Sequence, residues 1–76
     1  MKNELEYYGG FGWMDVFLKN GDVIEIRYGK NDITKTFTDT VNAIKYYDSI
    51  NDTKAAWQIS ENGFSELIEA HTVKLN

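Results

Sequence analysis

Seventy-six residues suffice for one domain, 1–76, and no cysteine and a single histidine exclude disulfides, zinc-thiolate sites and a multi-histidine metal centre within one copy. A net charge of −4 argues against direct gripping of a nucleic-acid backbone, because that affinity comes from Lys and Arg displacing counterions. No apolar run approaches the roughly 20 residues that span a bilayer, and Met1–Glu6 lacks a signal peptide's apolar stretch. The expected location is therefore the cytoplasm, with no membrane partner.

Along the chain, Gly9-Gly10-Phe11-Gly12 is rich in glycine, but Trp13-Met14 follows where a phosphate loop needs Lys-Ser/Thr and a helix. It reads as a flexible entry to a strand. Gly12–Leu18 and Asp22–Tyr28 are strand-like runs joined around Asn20-Gly21, the strongest hairpin signal in the chain. A two-residue turn would set Met14 against Arg27. A three-residue Lys19-Asn20-Gly21 loop instead pairs Val16 with Ile24 and Met14 with Ile26, and burial selects that register. Met14, Val16, Ile24, Ile26 and Tyr28 then share the covered face. Trp13, Asp15, Phe17, Val23, Glu25 and Arg27 share the opposite one.

Gly29–Asp32 is a turn, and Ile33–Phe37 alternates β-favouring residues as a third strand. Thr38 or Asp39 caps a helix that runs to about Ile50, with Ala43, Ile44, Tyr47 and Ile50 on one stripe and Val41 and Tyr46 at its edges. Lys54–Ser60 forms a strand around Ala55, Trp57 and Ile59, and Glu61-Asn62-Gly63 is a second turn. Phe64–Leu75 admits two readings. A helix would be lined by Phe64, Leu67, Ile68 and His71, but the Asn62-Gly63 turn and the Val73/Leu75 alternation favour a strand. The expected fold is α+β: a small antiparallel sheet, with elements in the order β-β-β-α-β-β, and one helix packed on one face.

No catalytic set emerges. His71 has Glu69 two residues away on the same strand face, without the Ser or Cys of an activated nucleophile. Asp48, Asn51 and Asp52 lack calcium-loop spacing, and Asp15 with Glu25 reads as solvated charge on an open sheet. The chain is expected to be no enzyme and to hold no metal and no cofactor. The candidate partner-binding residues are Trp13, Asp15, Phe17, Val23 and Glu25, an aromatic-acidic patch on the uncovered sheet face unless the N-terminal Leu5, Tyr7 and Tyr8 fold over it.

In size, acidity, lack of cysteine and an A/T-rich codon bias (seven Lys to one Arg, with seven Asn), the chain resembles small phage-encoded proteins that block host defence machinery, such as anti-CRISPR proteins. That resemblance is compositional and assigns no residue. It implies a non-catalytic inhibitor of a host nuclease or nucleoprotein with a basic surface. The alternative expectation is a homodimer or accessory subunit whose outer sheet face is self-complementary. Base stacking on Trp13 and Phe17 is a third reading, against which the missing basic groove counts.

Overall fold

Period-two alternation becomes sheet over four segments of this chain, and a fifth strand comes from the N-terminal region. The computed structural model describes residues 3–75. In chain order the elements are β1 (Leu5–Gly9), a 3-10 turn (Trp13–Asp15), β2 (Val23–Tyr28), β3 (Ile33–Phe37), α1 (Thr40–Ser49), β4 (Lys54–Ile59) and β5 (Ser65–Val73). They form one antiparallel sheet in the spatial order β1-β5-β4-β2-β3. A small α+β fold with one helix on an antiparallel sheet is what the patterning predicts, and the details of the strand order differ.

Asp39 caps α1. Its carboxylate accepts from the amides of Val41 at 3.4 Å and Asn42 at 3.2 Å, satisfying two donors that have no partner within the helix. The helix lays Ala43, Tyr47 and Ile50 against Ile24 and Ile26 of β2, Ala56 of β4 and Ile68 of β5. Tyr47, Ile24, Ile26 and Ile68 are the largest wholly buried side chains, each worth roughly 1.5–3 kcal/mol of transfer energy. Small Ala43 and Ala56 leave room for the helix to approach the sheet.

Opposite Ala56 and Trp57, β5 carries a bulge: Leu67 pairs with Trp57 and Glu69 with Ala56, so Ile68 is the extra residue. The bulge turns Ile68 into the core. Its carbonyl receives the Gly12 amide at 2.8 Å, and the Leu67 carbonyl receives the Phe11 amide at 3.2 Å. The glycine run therefore works by fit as well as flexibility. A Cβ on Gly10, at φ +126°, would stand 2.2 Å from the Ile68 carbonyl oxygen.

The expected first hairpin does not form. Gly12–Leu18 is not a strand: the Asp15 amide bonds the Gly12 carbonyl and the Val16 amide bonds the Trp13 carbonyl, closing a 3-10 turn. Lys19–Asp22 is a genuine turn, closed by the Asp22 amide on the Lys19 carbonyl at 2.9 Å. It joins no paired strands, because β2 already has β3 on one edge and β4 on the other. The Val16–Ile24 and Met14–Ile26 pairings are thereby overturned, and Met14, expected in the core, is 93% exposed. Val16 does enter the core, reaching it from above the sheet. The N-terminal segment does not fold over a sheet face either. As β1 it pairs with β5 at the sheet edge, Leu5 opposite Val73 and Tyr7 opposite His71.

Elsewhere the local signals match the structure. The Glu61-Asn62-Gly63 loop closes a three-residue hairpin, with the Ser60 amide on the Phe64 carbonyl at 2.8 Å and Gly63 at φ +90°. The last segment is a strand, as the turn before it implies.

Candidate functional site

Two surfaces emerge once the expected single patch is placed on the fold, and they lie on opposite faces of the sheet. Trp13 belongs to neither. It packs edge-on against Tyr47 at a ring-centre distance of 5.7 Å, beside the core, with its indole N–H buried and unpartnered. In the 3-10 turn the inward positions are Trp13 and Val16, three apart. Met14, Asp15 and Phe17 therefore point outward. Asp15 and Phe17 thus leave the sheet face that Val23 and Glu25 occupy, and Asp15 is no neighbour of Glu25. The period of the segment is three, not two, which overturns their shared face.

The first surface is a cleft of about 380 Å³ between this outward edge and the β4–β5 hairpin. Phe17 and Phe64 flank it, 75% and 76% exposed, with Asp15 and Glu66 beside them and Gln58 at the sheet side. Its position is fixed by polar stitching. The Gln58 side-chain amide donates to the Phe17 carbonyl at 3.0 Å. The Asp22 carboxylate accepts from the amides of Lys19 at 2.9 Å and Glu61 at 3.3 Å, tying the Lys19–Asp22 turn to the hairpin loop. The Lys19 amide chiefly holds the Asp22 carboxyl below the usual carboxylate range; partial burial opposes it, and Glu61 and Gln58 reinforce it. The Phe64 amide donates to the Ser60 hydroxyl at 3.0 Å. Around Phe17 stand four carboxylates, Asp15, Asp22, Glu61 and Glu66, against one cation, Lys19.

The second surface is the open sheet face. The strand register sets Val23 beside Ile59, Glu25 beside Trp57 and Trp57 beside Leu67, with Arg27 beside Ala55 and Ala55 beside Ala70. Glu25 and Arg27 form an ion pair along β2. Both α1 and the 3-10 turn lie on the other face, and here Val23, Trp57, Ile59 and Leu67 are half-buried among their strand neighbours. Trp57, Ile59 and Leu67 were not among the candidates from sequence, although the Ala55-Trp57-Ile59 alternation already places the β4 apolar residues together. Phe64 and Glu66 were also missed, because only the hairpin and the β5 register bring them to Phe17.

A polar cluster under α1 holds the remaining chemistry. The Tyr47 hydroxyl bonds His71 Nδ1 at 2.8 Å, and Glu69 lies 3.9 Å from the same nitrogen. Lys54 is nearly buried; its ammonium donates to the Tyr47 carbonyl at 2.6 Å and sits 4.2 Å from the centre of the Tyr47 ring. Burial pushes the Tyr47 phenol far above its usual range, with the Glu69 charge adding to the shift, and burial pulls the Lys54 ammonium down. The cluster supports the helix C-terminus, where the Lys54 ammonium meets the Tyr47 carbonyl at the negative end of the helix dipole. Among the described residues no group of three or more acidic or histidine side chains is arranged to hold a metal ion, and no helix is long and apolar enough to cross a membrane. Comparison with known protein families, with curated proteins and with solved structures finds no match to this chain.

Proposed function

We propose that this chain is a non-catalytic protein-binding module that engages a basic, apolar-pocketed surface of another protein through the aromatic-acidic cleft. The observation that carries this reading is the convergence of Phe17 and Phe64, both about three-quarters exposed, with four carboxylates and one cation. Apolar side chains left in water at a rigid site mark interaction surfaces, and aromatic anchors supply most of the affinity at such sites. The carboxylates steer a basic partner and set its register. The only histidine is engaged with Tyr47 under the helix rather than facing the cleft, which supports binding over catalysis.

In finer terms, the partner is a nucleic-acid-handling protein of the host cytoplasm. The chain is read as a small phage or mobile-element inhibitor of a nuclease or nucleoprotein, in the manner of anti-CRISPR proteins. Spaced carboxylates around an aromatic anchor present to a basic channel the charge pattern that phosphates present. The test is capture from a low-GC bacterial lysate with tagged wild type, Phe17→Ser and the double variant Asp15→Lys/Glu66→Lys, each checked for native circular dichroism. A basic nucleic-acid-handling protein retained by wild type and lost by both variants supports the reading. The same protein retained equally by the charge-reversed variant refutes it.

A further inference from the structure

We propose that a second copy of this chain covers the open sheet face, the two sheets packing face to face so that the helices lie outside. The inference begins with β4. Its positions toward α1 are Lys54, Ala56 and Gln58, whereas its positions toward the open face are Ala55, Trp57 and Ile59. An antiparallel sheet with one solvated face shows the reverse: apolar residues toward its own helix and polar ones outward. The central strand of this sheet is thus patterned for burial on the side away from α1. Val23 and Leu67 extend the apolar area onto both neighbouring strands, and Ala70 lies beside Ala55.

Charge identifies the occupant. The three central strands place only two charges on this face, Glu25 and Arg27, and they neutralise each other. In a chain of net charge −4 the centre of this face is therefore locally neutral, and Glu6 of β1, beside Thr72, is the charge at its edge. A basic partner is drawn instead to the cleft, where the carboxylates stand. A second copy brings the same apolar centre with its internally paired charges, so stacking about a two-fold axis places no net charge against net charge at the middle of the interface. The area is adequate for a weak assembly. Five strands about 4.8 Å apart and about 20 Å long give about 480 Å² per copy in plan, so a dimer covers on the order of 1,000 Å². That is the low end for a specific interface, so the assembly is expected to be weak and concentration-dependent. Sheets packed this way lie about 10 Å apart with interdigitated side chains, Trp57 at the centre. The cleft is on the α1 side, so each dimer presents two clefts outward, and the dimer stands whether or not the cleft reading does.

Sedimentation equilibrium from about 1 µM to about 1 mM is the direct measurement, the span over which a weak dimer fills. The expected result is a monomer passing to a dimer. Trp57→Arg and Leu67→Lys should each weaken association about tenfold or more, while Phe17→Ser leaves it unchanged. A second readout does not depend on those variants folding. In Trp13→Phe the remaining emission is that of Trp57, and it should shift to the blue as the dimer forms. A chain that stays monomeric at about 1 mM overturns the proposal and leaves the face to a different protein. So does a dimer whose formation leaves Trp57 emission unmoved or is broken by Phe17→Ser.

Discussion

Replacing Gly10 by alanine is expected to cost more than any other change of one methyl group in this chain, while the same change at Gly9 costs nothing. At Gly10 the new Cβ would lie 2.2 Å from the Ile68 carbonyl oxygen, 2.5 Å from its carbon and 2.7 Å from Glu69 Cα, all backbone atoms of the β5 bulge. No rotamer relieves such an overlap, so the chain or the bulge has to move. The φ of +126° adds strain for any residue with a Cβ, of order 1–3 kcal/mol. Displacement also endangers the bonds from Phe11 to Leu67 and from Gly12 to Ile68, each worth about 1 kcal/mol net. The total is on the order of 3–5 kcal/mol, a large share of the roughly 4–11 kcal/mol expected for a domain of this length. Gly9 lies in β1 with nothing within 4 Å of its would-be Cβ. There alanine removes unfolded-state freedom, a gain of up to about 1 kcal/mol. Urea unfolding followed by tryptophan fluorescence and circular dichroism gives both values. At about 4 °C or more per kcal/mol, Gly10→Ala should also lower Tm by about 12 °C or more. A Gly10→Ala protein within about 1 kcal/mol of wild type, or a Gly9→Ala loss of equal size, would refute the fit of this chain crossing against the bulge.

The polar cluster and the stitched turn make further predictions. Lys54→Met should change stability by no more than about 1 kcal/mol, because it removes a desolvated cation while the Tyr47 carbonyl keeps the Ile50 amide at 3.1 Å; a loss above about 3 kcal/mol in urea melts would contradict this. The Asp22 carboxyl is held low chiefly by the Lys19 amide, so its contribution is present above its unfolded pKa near 4 and lost as pH falls through the lower folded value. Asp22→Asn should therefore flatten the acid limb of a Tm-against-pH curve below about pH 4, and an unchanged limb would count against the stitching. Burial raises the Tyr47 pKa, so above about pH 10 the unfolded chain releases a proton that the folded one keeps, and stability falls. Tyr47→Phe should reduce that alkaline loss, leaving the part due to Tyr46, whose hydroxyl is held by Tyr28 at 2.6 Å. Trp13→Phe removes an orphaned indole N–H and should be tolerated within about 1 kcal/mol in the same melts.

Much of the scaffold follows from neighbours in sequence. The Asp39 cap and the Ala43–Tyr47–Ile50 stripe define α1, because capping and a 3.6-residue period act within a few residues. The alternation in β2 correctly puts Ile24, Ile26 and Tyr28 on the covered side and Val23 and Glu25 on the other. The turn at Glu61–Gly63 likewise sets β5 beside β4. Strand partnership is not local in the same way. Lys19–Asp22 bends as its residues dictate, yet β2 pairs with β3 and β4, and the competition for its two edges is decided by segments far along the chain. Losing that contest frees Trp13–Leu18 from period two, which sends Trp13 to Tyr47 and turns Asp15 and Phe17 toward Phe64 and Glu66. For β4 the sequence by itself determined that Ala55, Trp57 and Ile59 share a side. Only the tertiary structure decided that α1 covers the other one, because the side a helix takes depends on how its connections cross the sheet, and no strand encodes that alone.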